Sequence, residues 1–485
     1  MTNSLSTSPA SSPRKLSFWT KFFYGAGDFG TAITAQLQVF FLHYFLTNVA
    51  GIEPALAGSV LLVGKVWDAI NDPMIGVLSD RTRHPWGRRY PWMVFGAIPF
   101  GLCFFLQWVI PAWDANTLLW YYIIIAILFN TFYTVVNLPY AALTPELSED
   151  YNERTSLNSF RFAFSLSGSI ISLILAQIIF QVVTDPIQQY LVVGGVCAII
   201  SVVPVYLCVL GTRHHVNPGA VPQDPSESVP FLEQLKSVFS NRAFLYVIGI
   251  YLCSWLGVQL TASILPYFVV SWMRMPETDF PLVAIVVQGT ALIMLFVWTA
   301  ISKRIGKRKV YFCGMGLWIL VQGGLFFLQP EQIPFLYFLA VLAGVGVATA
   351  YLIPWSMIPD VIDLDELNTG VRREGIFYSF MVMLQKIGLA IGLQIVGIAL
   401  QVARFIPGVP GVAPPQQPES ALFAIRLAIG PIPTIILIIG IIVTYFYPIS
   451  QEVHAEILLK LHERRHLENA GDPPPEIPDP STTQP

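Results

Sequence analysis

Charge is what this chain has least of. Only 12% of its 485 residues are Asp, Glu, Lys or Arg, whereas 54% are hydrophobic; soluble domains carry about a quarter charged residues. Such a chain cannot cover its own apolar surface in water, so a lipid bilayer is the expected solvent. A net charge of −3 gives no reason to expect a nucleic-acid partner. Cysteine is scarce too. Cys103, Cys197, Cys208, Cys253 and Cys313 are scattered through apolar runs without metal or redox spacing, which leaves them as buried small hydrophobes. No G-x-x-x-x-G-K-[ST] loop occurs, so ATP binding of the P-loop kind is excluded and any pumping must draw on an ion gradient. The histidines form no Ser–His–Asp or metal-ligand pattern, and the adjacent His214 and His215 are expected to be solvated. Neither an enzyme nor a bound cofactor is expected.

Long apolar runs are what the chain has instead. A helix needs about 20 mainly apolar residues to cross the hydrocarbon. The expected spans are 22–48, 54–79, 91–111, 116–142, 157–183 and 189–211, then 244–272, 281–301, 309–329, 334–358, 374–402 and 421–447. The fold class is therefore an all-α membrane protein with twelve transmembrane helices in two six-helix bundles, 22–211 and 244–447. A polar tail (1–21) precedes them, a polar stretch (212–243) divides them, and 448–485 forms a second tail whose end, rich in proline and acid from His466, is expected to be disordered. The first apolar run is too long for a signal-peptide core. Of the 27 Lys and Arg, Lys65, Arg161, Lys386 and Arg426 fall at membrane depth, and only Arg274 and Arg404 fall in the loops of one side. All the others lie on the opposite side, which the positive-inside rule assigns to the cytoplasm together with both termini, in a plasma or inner membrane.

The halves echo each other. GVLSDRTRHPWGRRYPW follows span two and AISKRIGKRKVYF follows span eight, each a short basic turn with a glycine before Arg or Lys. Repetition of a six-span unit is what a two-bundle secondary transporter requires, with its site between the halves near midplane. The first turn resembles the signature loop of the major facilitator superfamily through Gly76, Asp80, Arg81, Gly87, Arg88 and Arg89. At the membrane surface it reads as a conformational latch.

Few ionisable residues remain at membrane depth. Besides the four basic ones, they are chiefly Asp28, Asp68 and Asp72, with Asp360 and Asp363 at the end of span ten. Each costs about 2.5–3.5 kcal/mol at a helix centre, so all should face the protein interior or water. In KVWDAINDPMIG (65–76), Asp68 and Asp72 share one helix face and Asn71 adds an amide oxygen to that edge. Two such carboxylates repel when both are ionised, and a monovalent cation removes the conflict with hard oxygen ligands. The bland alternative is an ion pair of Asp68 with Lys65, which leaves Asp72 unpaired. Pro73 cannot donate a backbone hydrogen bond, so α-helical geometry is expected to bend there. Span four ends in NTFYTVVNLPYAALTPE, where Tyr133, Thr134 and Asn137 add hydroxyl and amide groups.

WDAINDP (67–73), YGAGDFG (24–30), NLPYAALTPE (137–146), NSFRFAFS (158–165) and PDVIDLDELNTGVRREGIFYSFMVMLQKIG (359–388) together resemble the glycoside–pentoside–hexuronide:cation symporters, the family of the melibiose permease. The resemblance covers all twelve spans. It implies a cation site of Asp68, Asn71, Asp72 and Thr134, with Na⁺ held by Asp68 and Asp72 if sodium is the coupling ion. It further implies a coupling lysine at Lys386, a substrate-holding arginine at Arg161 and an aromatic on the sugar path at Tyr133; Lys65 keeps the charge of a family arginine. Where that permease has two sugar-gripping aspartates and a tryptophan, this chain has Ala32, Asn137 and Ala141, which leaves a galactoside without its acceptors. Asp28 aligns elsewhere and is assigned to helix packing. AYLIPWSMIPDVID (350–363) and YFYPIS (445–450) also resemble the sodium-dependent lysophosphatidylcholine symporters. The implied activity is Na⁺- or H⁺-coupled symport of a sugar or glycoside by alternating access, or of a lysophospholipid on the same fold. A non-transporting sensor would not need the oxygen set. The expected partners are a small-molecule substrate, a monovalent cation and the bilayer, with the protein a monomer.

Overall fold

In lipid no water can satisfy the backbone, so each span must close its own hydrogen bonds as a helix. Every expected span is helical in the computed structural model, which describes residues 16–148, 151–215, 241–370, 374–408 and 415–470. The first half contains α1 (Phe18–Leu37), α2 (Pro54–Arg81), α3 (Tyr90–Leu106), α4 (Ala115–Ala141), α5 (Tyr151–Val182) and α6 (Pro186–Thr212). The second contains α7 (Arg242–Tyr267), α8 (Phe280–Ile305), α9 (Lys307–Phe327), α10 (Ile333–Thr369) and α11 (Glu374–Val402). Its last span is broken at Gly430 into α12 (Glu419–Ile429) and α13 (Pro431–Tyr445), and α14 (Gln451–Ala470) follows outside it. Most of the central polar stretch, the chain ends, and Arg372 and Arg373 of the basic face lie outside the described residues.

Among the described residues, nine helical runs are long and apolar enough to cross a membrane. The runs through α1 and α2 fall outside that set because they carry the polar residues of the site, and α3 has 17 residues. Large apolar side chains such as Phe95, Phe296, Leu320 and Val402 stand largely exposed on helix surfaces, where only lipid can cover them. Two boundaries differ from expectation. α5 begins at Tyr151, and α10 continues to Thr369, so Asp360, Asp363 and Asp365 lie within a helix and are buried.

α1 packs on α5 and α6, α3 on α4 and α6, and α2 on α4; in the other half α10 packs on α8 and α9, and α13 on α7 and α9. The groups meet where α2 lies on α11 and α5 on α8. The echo in sequence extends to backbone detail. After α1, a π turn (Phe45–Val49) carries hydrogen bonds from Ala50 N–H to the Phe45 carbonyl and from Ile52 N–H to that of Leu46, both 2.8 Å. After α7, the π turn Phe268–Trp272 repeats the pattern, Met273 to Phe268 at 2.9 Å and Met275 to Val269 at 3.1 Å. Tyr44 and Tyr267 each stand immediately before their turn. Such wide turns recur at functional positions because they re-aim side chains without ending the helix.

Hydrogen bonds and ring contacts between described side chains of the two halves run from midplane to the face opposite the basic loops. There His43 and Thr47 meet Tyr267, Tyr44 meets Glu277, Glu53 meets Gln401, and the Phe41 ring lies 4.5 Å from Phe280. That far face is closed.

Candidate cation and substrate site

The face of α2 that carries Asp68 turns toward α4 and α11. Gly64 makes the approach of α4 possible, because a Cβ there would stand 2.6 Å from Asn130 Nδ2. Trp67 Nε1 donates to Thr131 Oγ1 at 2.8 Å and fixes the same pair of helices. α2 runs unbroken through Pro73, so the expected bend does not end the helix beside the site.

Asp68 is fully buried, and neither of its carboxylate oxygens has a hydrogen-bond partner. Two ammonium groups flank it, Lys65 Nζ at 3.5 Å and Lys386 Nζ at 3.6 Å from Oδ2. Lys65 spends its short hydrogen bond on Asn130 Oδ1 instead, at 2.9 Å. Lys386, reaching over from α11, donates to Asp72 Oδ2 at 2.5 Å, and Thr134 Oγ1 donates to Asp72 Oδ1 at 2.8 Å. Asn71 is buried with Nδ2 turned 3.5 Å from the Asn130 carbonyl. Asp68, Asn71, Asp72, Thr134 and Lys386 are thus brought together. The local ion pair of Lys65 with Asp68 exists as well, but at a distance too long for a hydrogen bond. Two lysines against two aspartates leave the cluster formally neutral. Asn130 was not anticipated; its signal is that it lies four residues before Thr134, on the same face of α4.

Arg161 lies in a second cluster. Its Nε donates to Asp28 Oδ2 at 3.2 Å, its guanidinium stands 5.5 Å from the Tyr140 ring, and Thr31 Oγ1 donates to Asp28 Oδ1 at 3.0 Å. Asp28 is therefore the partner of Arg161 and not merely a packing residue, because an arginine at this depth needs a counter-charge. Tyr133 Oη accepts from Asn137 Nδ2 at 3.1 Å, while Asn137 Oδ1 is buried without a partner. Across the interface, Tyr251 stacks on Trp255 at 5.9 Å, Trp355 meets Tyr251 edge-on at 5.9 Å, and Tyr351 meets Trp255 at 6.1 Å. Beside this aromatic wall an apolar cavity is lined by Phe40, Val258, Leu265, Val287 and Trp318, with Thr261 among few polar groups. Arg426, the fourth basic residue at depth, belongs to neither cluster. It donates twice to the Phe326 carbonyl, at 2.9 and 2.6 Å, and lies 4.5 Å from the Trp272 ring, so it caps the end of α9.

At the basic face, Gly87 has φ of 93°, a left-handed turn that favours glycine. It turns the chain so that Arg88 Nε and Arg89 Nε reach Glu146 Oε1 at 2.7 and 3.2 Å, while Arg89 Nη1 donates to Ser79 Oγ at 2.8 Å. Arg81 is exposed, Gly76 packs near Leu138, and the side chain of Asp80 lies outside the described residues. The second half repeats the device with Lys307, whose Nζ holds both oxygens of Asp360 at 2.7 Å.

No cluster of three or more His, Cys, Asp or Glu side chains fit to hold a metal occurs among the described residues. Comparison with known proteins agrees with this architecture. The family described as MFS/sugar transport protein matches residues 23–451. A Synechocystis protein named uncharacterized symporter sll1374 is 49% identical, over 94% of this chain and 98% of that protein. The sodium-dependent lysophosphatidylcholine symporter 1-A of Danio rerio is 28% identical, over 90% of this chain and 87% of its own length. Among solved structures, the nucleoside transporter NupG superposes with a TM-score of 0.63 at 13% identity, over 89% of this chain and all (100%) of the other, which identifies the major facilitator fold. The chain belongs to the MFS/sugar transport protein family and is a multi-pass membrane transporter, not an enzyme.

Proposed function

We propose that the protein is a cation-coupled symporter whose ion sits between Asp68 and Asp72 and whose substrate is an amphipathic organic solute. One observation carries the ion site: a fully buried carboxylate at Asp68 that makes no hydrogen bond and has its two lysines, one of them from the other half, only at 3.5 and 3.6 Å. A buried carboxylate is costly unless it is paired and hydrogen-bonded, and ammonium groups at that distance leave its oxygens open to an ion. Two carboxylates, a hydroxyl and an amide oxygen are hard oxygen ligands that can hold Na⁺, and a carboxylate can take H⁺ instead. Lys386 is then a tethered competitor. With the ion absent, its ammonium bridges α11 to α2; an arriving ion displaces it and releases the halves from one another at midplane. The ion raises substrate affinity by the factor with which substrate raises the ion's. Gly76, Asp80, Arg81, Gly87, Arg88 and Arg89 form a latch that steadies the basic face, which lies in the cytoplasm. Asp68→Asn tests the site. Ion-driven accumulation is expected to vanish while downhill exchange and folding persist; full accumulation in that variant contradicts it.

The substrate class rests on three supports. Asp28 is engaged by Arg161, and Ala32, Asn137 and Ala141 supply no carboxylate for sugar hydroxyls. The aromatic wall of Tyr251, Trp255, Tyr351 and Trp355 offers an apolar surface for a hydrocarbon chain, with Arg161 or Lys386 for a phosphate. The lysophosphatidylcholine symporter is similar over most of both chains. Cation-dependent quenching of Trp fluorescence by lysophosphatidylcholine, with none by a galactoside, is the expected outcome. The reverse result favours a sugar or glycoside.

A further inference from the structure

Two titratable groups of the far-face seal, His43 and Glu277, take no part in the cation site. His43 Nδ1 lies 2.6 Å from Tyr267 Oη, which is also 2.6 Å from Thr47 Oγ1 and donates to the His43 carbonyl at 3.1 Å. Tyr44 Oη donates to Glu277 Oε1 at 2.9 Å, and the rings of Tyr44 and Tyr267 meet at 5.1 Å. The two symmetry-related tyrosines thus each hold a titratable group of the opposite half. His43 Nε2 and Glu277 Oε2 are buried without a close hydrogen bond, and the Pro54 backbone is a polar group that faces the His43 ring. Tyr190 on α6 is a further titratable group interacting with Glu277 and Tyr267, and Glu53 is tied to Gln401 at 3.2 Å.

We propose that His43 is a proton-binding site of the outer gate, filled when the far face opens and emptied when it seals, so that acid on the far side favours the open form. With the Tyr267 hydroxyl proton on the His43 carbonyl, the neutral Nδ1–H tautomer donates to Tyr267 Oη and keeps the sealed ring uncharged. An imidazolium would bring a full charge into the seal, where His43 is 1% exposed, and burial penalises that severely. Parting the halves hydrates both nitrogens, and the ring can then take its proton in the ordinary histidine range, about 6.5. Glu277 works against this, since opening hydrates its bare oxygen and lets it lose a proton. One proton can shift the gate by at most about tenfold per pH unit. The inference needs no particular substrate or coupling ion.

Phe40 is 6% exposed and lies beneath the seal, so Phe40→Cys, in a background with Cys253 and Cys313 replaced by Ser, reports opening to an impermeant methanethiosulfonate added from the far side. Labelling is normalised to Trp113→Cys on the exposed far-face loop, which removes the thiol's own pH response. With Glu277→Gln removing the opposing group, normalised labelling is expected to rise several-fold between about pH 7.5 and 5.5, the window around the ordinary histidine value. Adding His43→Gln, or His43→Asn if gel filtration shows the first to be misfolded, is expected to flatten the profile. A flat profile with His43 intact, or the same rise without it, overturns the proposal.

Discussion

Replacing Lys386 by methionine separates the two roles given to that residue. The ammonium donates to Asp72 at 2.5 Å and stands 3.6 Å from Asp68, and the side chains of Lys386 and Asp72 are 23% and 31% exposed. Hydrogen bonds to charged groups contribute about 1.5–3 kcal/mol. Partial exposure argues for the lower end, about 1.5 kcal/mol, which is about tenfold in affinity. Lys386→Met removes the competitor and leaves one lysine against two carboxylates, so Na⁺ should bind about tenfold more tightly in a calorimetric titration. Transport should fall nevertheless, because the ion no longer breaks a bridge between α2 and α11. A wild-type protein that binds Na⁺ and a variant that binds it no more tightly would refute the competition.

Three further expectations concern the frame around that site. Glu146→Gln removes the anchor shared by Arg88 and Arg89 and should lower the melting temperature by a few degrees, a cost of about 2 kcal/mol for charge-assisted bonds at a largely buried carboxylate; an unchanged melting curve contradicts the latch. Gly408 donates to the Thr47 carbonyl at 2.9 Å, and a Cβ there would overlap the Asn48 carbonyl, so Gly408→Ala should hold the outer gate ajar and raise far-side labelling of Phe40→Cys. Thr134→Val deletes a donor to Asp72 without changing side-chain shape, and should weaken the ion about fivefold, as one hydrogen bond of about 1 kcal/mol predicts; direct ion titration decides.

The spans were legible because a membrane helix is defined by apolar length, which composition displays directly. The edge of α2 was legible because residues four apart must share a helix face, and Asp68 with Asp72 does so in any setting. The pairing of Arg161 with Asp28 was not, since it joins α5 to α1 and no local spacing connects them. Asn130 escaped notice for a related reason: its amide matters only because Gly64 lets α4 come close. α10 runs past its expected end at 358 because Lys307 neutralises Asp360, a pairing with another helix that apolar length does not display. The π turns of α1 and α7 depend on packing between halves and leave no mark in composition, so the outer gate emerges only in three dimensions.

Uptake into proteoliposomes with imposed Na⁺ or H⁺ gradients tests the central claim most directly. The account predicts that one inward gradient drives lysophosphatidylcholine above equilibrium, and that Asp68→Asn abolishes this drive. Accumulation that ignores both gradients, or survives intact in Asp68→Asn, would contradict it.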